Sequence, residues 1–133
     1  MLYEDEVIDR VIEYLQANDY SILHRSAATE RGYDLIAVSK EGKKLIIEAK
    51  GQTSSMRGTN RYGKEFTPSQ KFDHVSKAVL KAMQAQNEER AEVGIALPAD
   101  DGHARLVNSI LPSVKKIGMR VFLVTGNGNV SEK

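Results

Sequence analysis

Apolar residues recur at helical spacing near the start of the chain. Val7, Ile8, Val11, Ile12 and Leu15 form one stripe, with Asp9, Arg10 and Glu13 outside it, which predicts a helix over about residues 3–18. Short β-branched and aliphatic runs follow at Tyr20–His24, Tyr33–Ser39 and Lys43–Lys50. They are separated by the polar stretch Ser26–Gly32 and by Lys40-Glu41-Gly42, a turn that predicts an antiparallel hairpin between the second and third strands. Residues 51–66 show no period and are rich in Gly, Ser, Thr and Arg; such a stretch inside a small domain is usually functional or disordered. Thr67-Pro68-Ser69-Gln70 then reads as a helix start, with Thr67 as N-cap and Gln70 at the capping-box position. Phe72, Val75, Val79, Ala82 and Met83 are its expected buried stripe, with Gln70, His74, Lys77 and Lys81 on the far side. A strand at Glu92–Leu97, a helix over about 103–117 capped by Asp100, and a strand at Met119–Thr125 complete the pattern, and Gly126–Lys133 reads as a frayed tail. The order α-β-β-β-α-β-α-β predicts one α/β domain over residues 1–133, a mixed sheet flanked by helices.

Composition narrows the chemistry. The 133 residues suffice for one core without staples, and zero cysteines exclude disulfides, a thiolate zinc site and a thiol nucleophile. No apolar run reaches membrane-helix length and the acidic start lacks a signal-peptide pattern, so a soluble, cytoplasmic protein without membrane association is expected. The formal charge of +1 conceals segregation. Residues 1–39 hold three Lys/Arg and eight Asp/Glu, a balance of −5; residues 40–82 hold ten and four, a balance of +6. A basic middle third is where a polyanion would dock, although charges along a small chain also fluctuate without purpose.

The predicted hairpin carries the ionisable groups that matter. Alternation places Asp34 on one face with Ile36 and Val38, and Glu48 with Ile46 and Lys50. Leu45, Ile46 and Ile47 make the third strand apolar on both faces, so Glu48 and Lys50 sit at the edge of a core, where charge must be paired or must hold a metal. One reading is a structural Glu–Lys pair. The other is a site in which Asp34 and Glu48 bind a hard divalent cation and Lys50 helps activate water. The first helix bears on the choice, because Glu4 falls inside its apolar stripe, Asp5 at the border and Glu6 nearly opposite. An acid at a helix N-terminus is also favoured by the dipole alone.

Gly32-Tyr33-Asp34-Leu35-Ile36-Ala37, thirteen intervening residues after Asp34, then Glu48-Ala49-Lys50-Gly51, resembles the PD-(D/E)XK (restriction-endonuclease-like) nuclease superfamily, in particular its Holliday-junction-resolvase-like and Mrr-like members. Glu4-Asp5-Glu6-Val7-Ile8 is similar to the acidic first helix of the resolvases, and the resemblance covers about residues 1–97. Tyr33 stands where the motif's Pro is usually written, and the first helix is about one turn longer. The resemblance implies a restriction-endonuclease-like α-β-β-β-α-β core with a C-terminal αβ extension. It also implies a DNA endonuclease that uses Mg²⁺, with Mn²⁺ as substitute, and works as a homodimer. Asp34, Glu48 and the Ala49 carbonyl would ligate the metal, Glu4 would act through a bound water or a second metal position, and Lys50 would sit beside the attacking water. Gln70 and His74 resemble the Gln-xxx-Tyr of exonuclease-like members, which would make Gln70 catalytic; the competing reading is a helix cap and a solvated face residue. Arg57, Arg61 and Lys64 on the following loop, Lys71, Lys77 and Lys81 on the next helix, and Arg25 and Ser26 before Asp34 are the candidate DNA contacts. The alternative is a nuclease-fold protein that binds DNA or another partner without cutting. His24, His74 and His103 lack metal-ligand spacing, and neither a nucleophile elbow nor a phosphate-cradling glycine loop is present.

Overall fold

The computed structural model describes residues 1–26, 32–53 and 64–133. Its elements are α1 (Glu4–Ala17), β1 (Ser21–Arg25), β2 (Leu35–Val38), β3 (Lys44–Ala49), α2 (Pro68–Glu89), β4 (Glu92–Pro98), α3 (Asp101–Lys116), β5 (Met119–Val124) and β6 (Val130–Glu132). Six strands lie side by side in chain order as one mixed sheet. β1, β2 and β3 run antiparallel, β3, β4 and β5 parallel, and β6 returns antiparallel on β5. Parallel neighbours need crossovers, and α2 and α3 are those crossovers. No helix among the described residues is long and apolar enough to cross a membrane.

Period-two alternation divides the core between the faces. Leu35, Ala37, Leu45, Ile47, Ala49, Phe122 and Val124 pack with Val7, Ile8, Val11 and Leu15 of α1. Ile46, Val93, Ile95, Leu97, Val121 and Leu123 pack with α2 and α3 on the other side. Each fully buried aliphatic side chain contributes about 1.5–3 kcal/mol of burial free energy, so both faces hold the sheet firmly.

Two expectations change. The tail pairs as β6 instead of fraying: Gly126, Asn127 and Gly128 form the turn, with Thr125 N–H donating to the Asn129 carbonyl, and Arg120 grips Glu132 at 2.7 and 2.9 Å. Its strand is three residues long with one apolar side chain, Val130, and is held by pairing with β5 and by this ion pair, so hydrophobic patterning does not reveal it. The buried face of α2 is also rotated from the expected stripe. Ala78, Ala82 and Ala85 lie on the sheet with Val75, while Phe72 and Met83 are 59% and 41% exposed. Small residues let the helix axis approach the strands closely, and Lys71 joins that face because its charge is paired. Its ammonium lies 2.8 Å from Asp100 and 3.0 Å from Glu65.

α1 is seated on the sheet's end by backbone contacts. Gln52 N–H donates to the Leu2 carbonyl at 2.7 Å, and Leu2 N–H donates back to the Gln52 side chain at 3.1 Å. Between them lies Gly51, where an added Cβ would come within 2.5 Å of the Glu4 nitrogen and 2.9 Å of the Tyr3 carbonyl carbon. Backbone cannot yield as a flexible side chain does, so only glycine permits this approach. Gly51→Ala is expected to lower the urea unfolding midpoint by the equivalent of about 1–3 kcal/mol, as overpacking does. An unchanged midpoint would contradict this seating of α1.

Candidate active site

The register Leu35 opposite Ile47 puts Asp34 beside Glu48 at the end of the hairpin. Asp34 is held from two sides. Its carbonyl accepts from Ser26 N–H at 2.9 Å, and its Oδ2 accepts from Ala49 N–H, also at 2.9 Å. Glu48 is buried on the α2 face, in the field of Asp34. Lys50 follows β3, with its N–H donating to the Ala96 carbonyl at 3.0 Å. The group thus lies at the carboxyl end of the parallel pair β3–β4, the end where open α/β sheets bind ligands.

Of the three acids opening α1, Glu4 is the one in the field of Asp34 and Lys50. Glu6 accepts from Tyr3 N–H at 2.9 Å, and Asp5 lies 3.9 Å from Arg25. Burial, then the charge of Asp34, raises the Glu4 carboxyl to about 7, against the partial relief of Lys50 and Lys81. Burial, then the interaction with Asp34, pushes Glu48 well above the usual carboxylate range, against the partial relief of Lys81 and Lys50. Lys81 weighs on both glutamates, which makes it a member of this site as well as a candidate phosphate contact.

Mg²⁺ is commonly held by one or two carboxylates plus water and substrate oxygens, so the Asp34–Glu48 pair is a sufficient hard-oxygen donor set. Among the described residues, no group of three or more His, Asp or Glu side chains is arranged to hold an ion.

The other candidates are dispersed. Gln70 spends its amide oxygen on Thr67 N–H at 2.9 Å, completing the capping box. Lys71 is buried and ion-paired, so its ammonium is not presented to a polyanion. Arg25 binds Asp9 at 2.8 Å and the Asp5 carbonyl at 3.1 Å, tying β1 to α1. Buried Ser26 donates to the Tyr33 carbonyl at 2.8 Å and steadies the approach to Asp34. Lys64 and Lys77 are exposed, and Arg57 and Arg61 lie outside the described residues. His74 is half-buried rather than solvated, edge-on to Phe66 at 4.4 Å, with Nδ1 buried and unpartnered. Burial, followed by Lys50 and Lys77, lowers its pKa. Sequence patterning did not single out Gly51 or Gln52 as positioning residues; a glycine directly after a buried strand end was the available signal.

No protein-family model matches the chain, and no curated protein is a significant match. Among solved structures, Pyrococcus furiosus SfsA in complex with Ca²⁺ is similar with a TM-score of 0.41 and 11% identity. The overlay covers 98% of this chain and 59% of that one, so the chain spans less than two thirds of that protein's length. Similarity at this level carries no argument about activity. The site is therefore read from its own chemistry, within an α/β fold whose six-stranded mixed sheet is flanked by helices.

Raised carboxyl values have a thermodynamic sign. The unfolded chain releases the Glu4 proton near the ordinary value of 4.5, whereas the folded protein holds it to about 7. The contribution is therefore complete below pH 4.5 and is lost as pH rises through 7. In EDTA, Glu4→Gln is expected to raise the melting temperature relative to wild type by a few degrees at pH 8, and to change it little at pH 5. A difference that does not vary with pH would contradict the buried, mutually repelling carboxyls.

Proposed function

We propose that the chain is a divalent-metal-dependent phosphodiester hydrolase acting on DNA, built on a restriction-endonuclease-like core. The observation that carries the reading is the Asp34–Glu48 pair: two carboxyl groups set opposite each other by the hairpin register at a buried strand end, with Glu4 close enough to feel the charge of Asp34. Supporting it, β1 to β4 lie in order with α1 and α2 on opposite faces, the arrangement to which the Asp34…Glu48-Ala49-Lys50 motif belongs by resemblance.

Asp34 and Glu48, with the Ala49 carbonyl, would hold Mg²⁺ or Mn²⁺. A cation so held polarises a phosphodiester and acidifies a water molecule. The chain's own residues do the rest. Lys50 presents an ammonium to the negative charge that builds on the phosphate oxygens. Glu4, titrating near neutrality, can accept the attacking water's proton at a carboxylate oxygen. The water oxygen bonds to phosphorus, one ester P–O bond breaks, and the departing oxygen takes a proton from solvent, with no covalent protein intermediate. Lys64, Lys77 and Lys81 would contact neighbouring phosphates, giving salt-dependent and sequence-independent affinity.

One observation favours a second reading, a nuclease-fold protein that binds DNA without cutting: no three-side-chain metal cage exists among the described residues. Plasmid, linear, single-stranded and four-way-junction DNA incubated with Mg²⁺, Mn²⁺ or EDTA separates the two. Cutting with either metal, absent in EDTA and reduced about 100-fold or more by Lys50→Ala, is the expected result. A folded wild type that binds DNA and cuts none of these with either metal would overturn the hydrolase and leave the binder.

A further inference from the structure

Beside Glu48 a cleft of about 230 Å³ opens between the start of β2 and α2. Gly32, Tyr33, Lys81, Gln84 and Glu88 line it together with Glu48 itself. Its far wall is braced, because the Tyr33 hydroxyl donates to Glu88 at 3.1 Å. The tyrosine ring packs against the α2-side core, and Gln84 and Lys81 are exposed at successive outward positions of the helix.

The lining defines the occupant. Pockets for drug-sized ligands begin at roughly 300 Å³, so this one suits a single ring system and is far too small for a base pair. Glu88 offsets the ammonium of Lys81 and Glu48 adds no positive charge, so the lining has no net positive charge to hold an anion inside and Lys81 is left to meet a phosphate outside. Gln84 offers a donor and an acceptor in one plane, the pairing that reads a base edge, and Glu88 can accept from an exocyclic amine. An apolar guest fits the groove between α2 and α3 better, where Phe72, Val79 and Leu106 dominate the walls.

We propose that this cleft takes the unpaired base of a nucleotide adjoining the scissile phosphate, which makes a strand with an unpaired base beside the site the preferred substrate. The inference rests on the hydrolase reading for its substrate, but the cleft's base preference can be measured without cleavage. A base edge read by paired hydrogen bonds in such a site is worth enough that its removal weakens binding about 10-fold or more.

The experiment uses the Lys50→Ala protein in Mg²⁺, so that strands remain intact, and compares a fluorescently labelled single strand with an abasic strand of equal length and phosphate count. The base-bearing strand is expected to bind about 10-fold tighter by anisotropy. Gln84→Ala and Gln84→Leu should bring the ratio towards one without weakening the abasic strand, whereas Asn87→Ala, exposed on α2 outside the cleft, should leave the ratio unchanged. A ratio near one before any Gln84 change, or a ratio that survives both changes, overturns the proposal. Binding of neither strand overturns it together with the DNA reading. Metal-dependent cutting with a ratio near one rejects the cleft alone, and a Gln84-dependent ratio in a protein that cuts nothing rejects the hydrolase alone.

Discussion

Two carboxyl groups set side by side at the buried end of a hairpin cannot both carry charge without a compensating cation. Asp34 and Glu48 are in that position, and much of the surrounding structure serves to keep them there. The β2–β3 register sets them side by side, and the Ala49 N–H fixes one oxygen of Asp34. Glu48 is buried beside Lys81, Gln84 and Ala85 of α2. Lys50 and Lys81 relieve the repulsion only in part, since Glu4 still titrates near 7. Such an arrangement costs stability wherever the carboxyls must ionise in the folded protein. Proteins commonly retain a cost of this kind where a ligand removes it.

The third acid arrives by a different route. α1 packs on the sheet face opposite Glu48, so Glu4 can reach the pair only by passing over the end of β3. Gly51 makes that passage possible, and the paired hydrogen bonds between Leu2 and Gln52 hold it. The chain segment that ends β3 therefore also seats the helix that brings Glu4 towards the pair. Glu65, Lys71 and Asp100 extend the same construction, joining the segment before α2 to the start of α3 through one buried ammonium.

Much of this was legible in the chain. The hairpin turn, the Thr67–Gln70 capping box, the Asp100 cap and the α1 stripe are local signals, and local chemistry decides them. The pairing of Asp34 with Glu48 was also readable, because strand alternation fixes faces and the turn fixes register. What escaped depends on distant partners. Lys71 reads as a surface cation until Asp100 and Glu65 are brought to it, and the alanine face of α2 reads as weaker than Phe72 and Met83 until closeness of approach decides the packing. β6 is invisible to hydrophobicity because Arg120, from another strand, holds it. Lys81 looked like one lysine among several; only the fold sets it against both glutamates.

The central claim, that the Asp34–Glu48 pair is a cation site, is tested most directly by titrating Mn²⁺ into the protein calorimetrically near pH 7 in buffers of different ionisation enthalpy. The account predicts saturable binding at one primary site, with net proton release as the carboxyl protons leave, and loss of that binding in both Asp34→Asn and Glu48→Gln. Mn²⁺ binding that releases no protons and survives both substitutions, or no binding by the folded wild type, would contradict it.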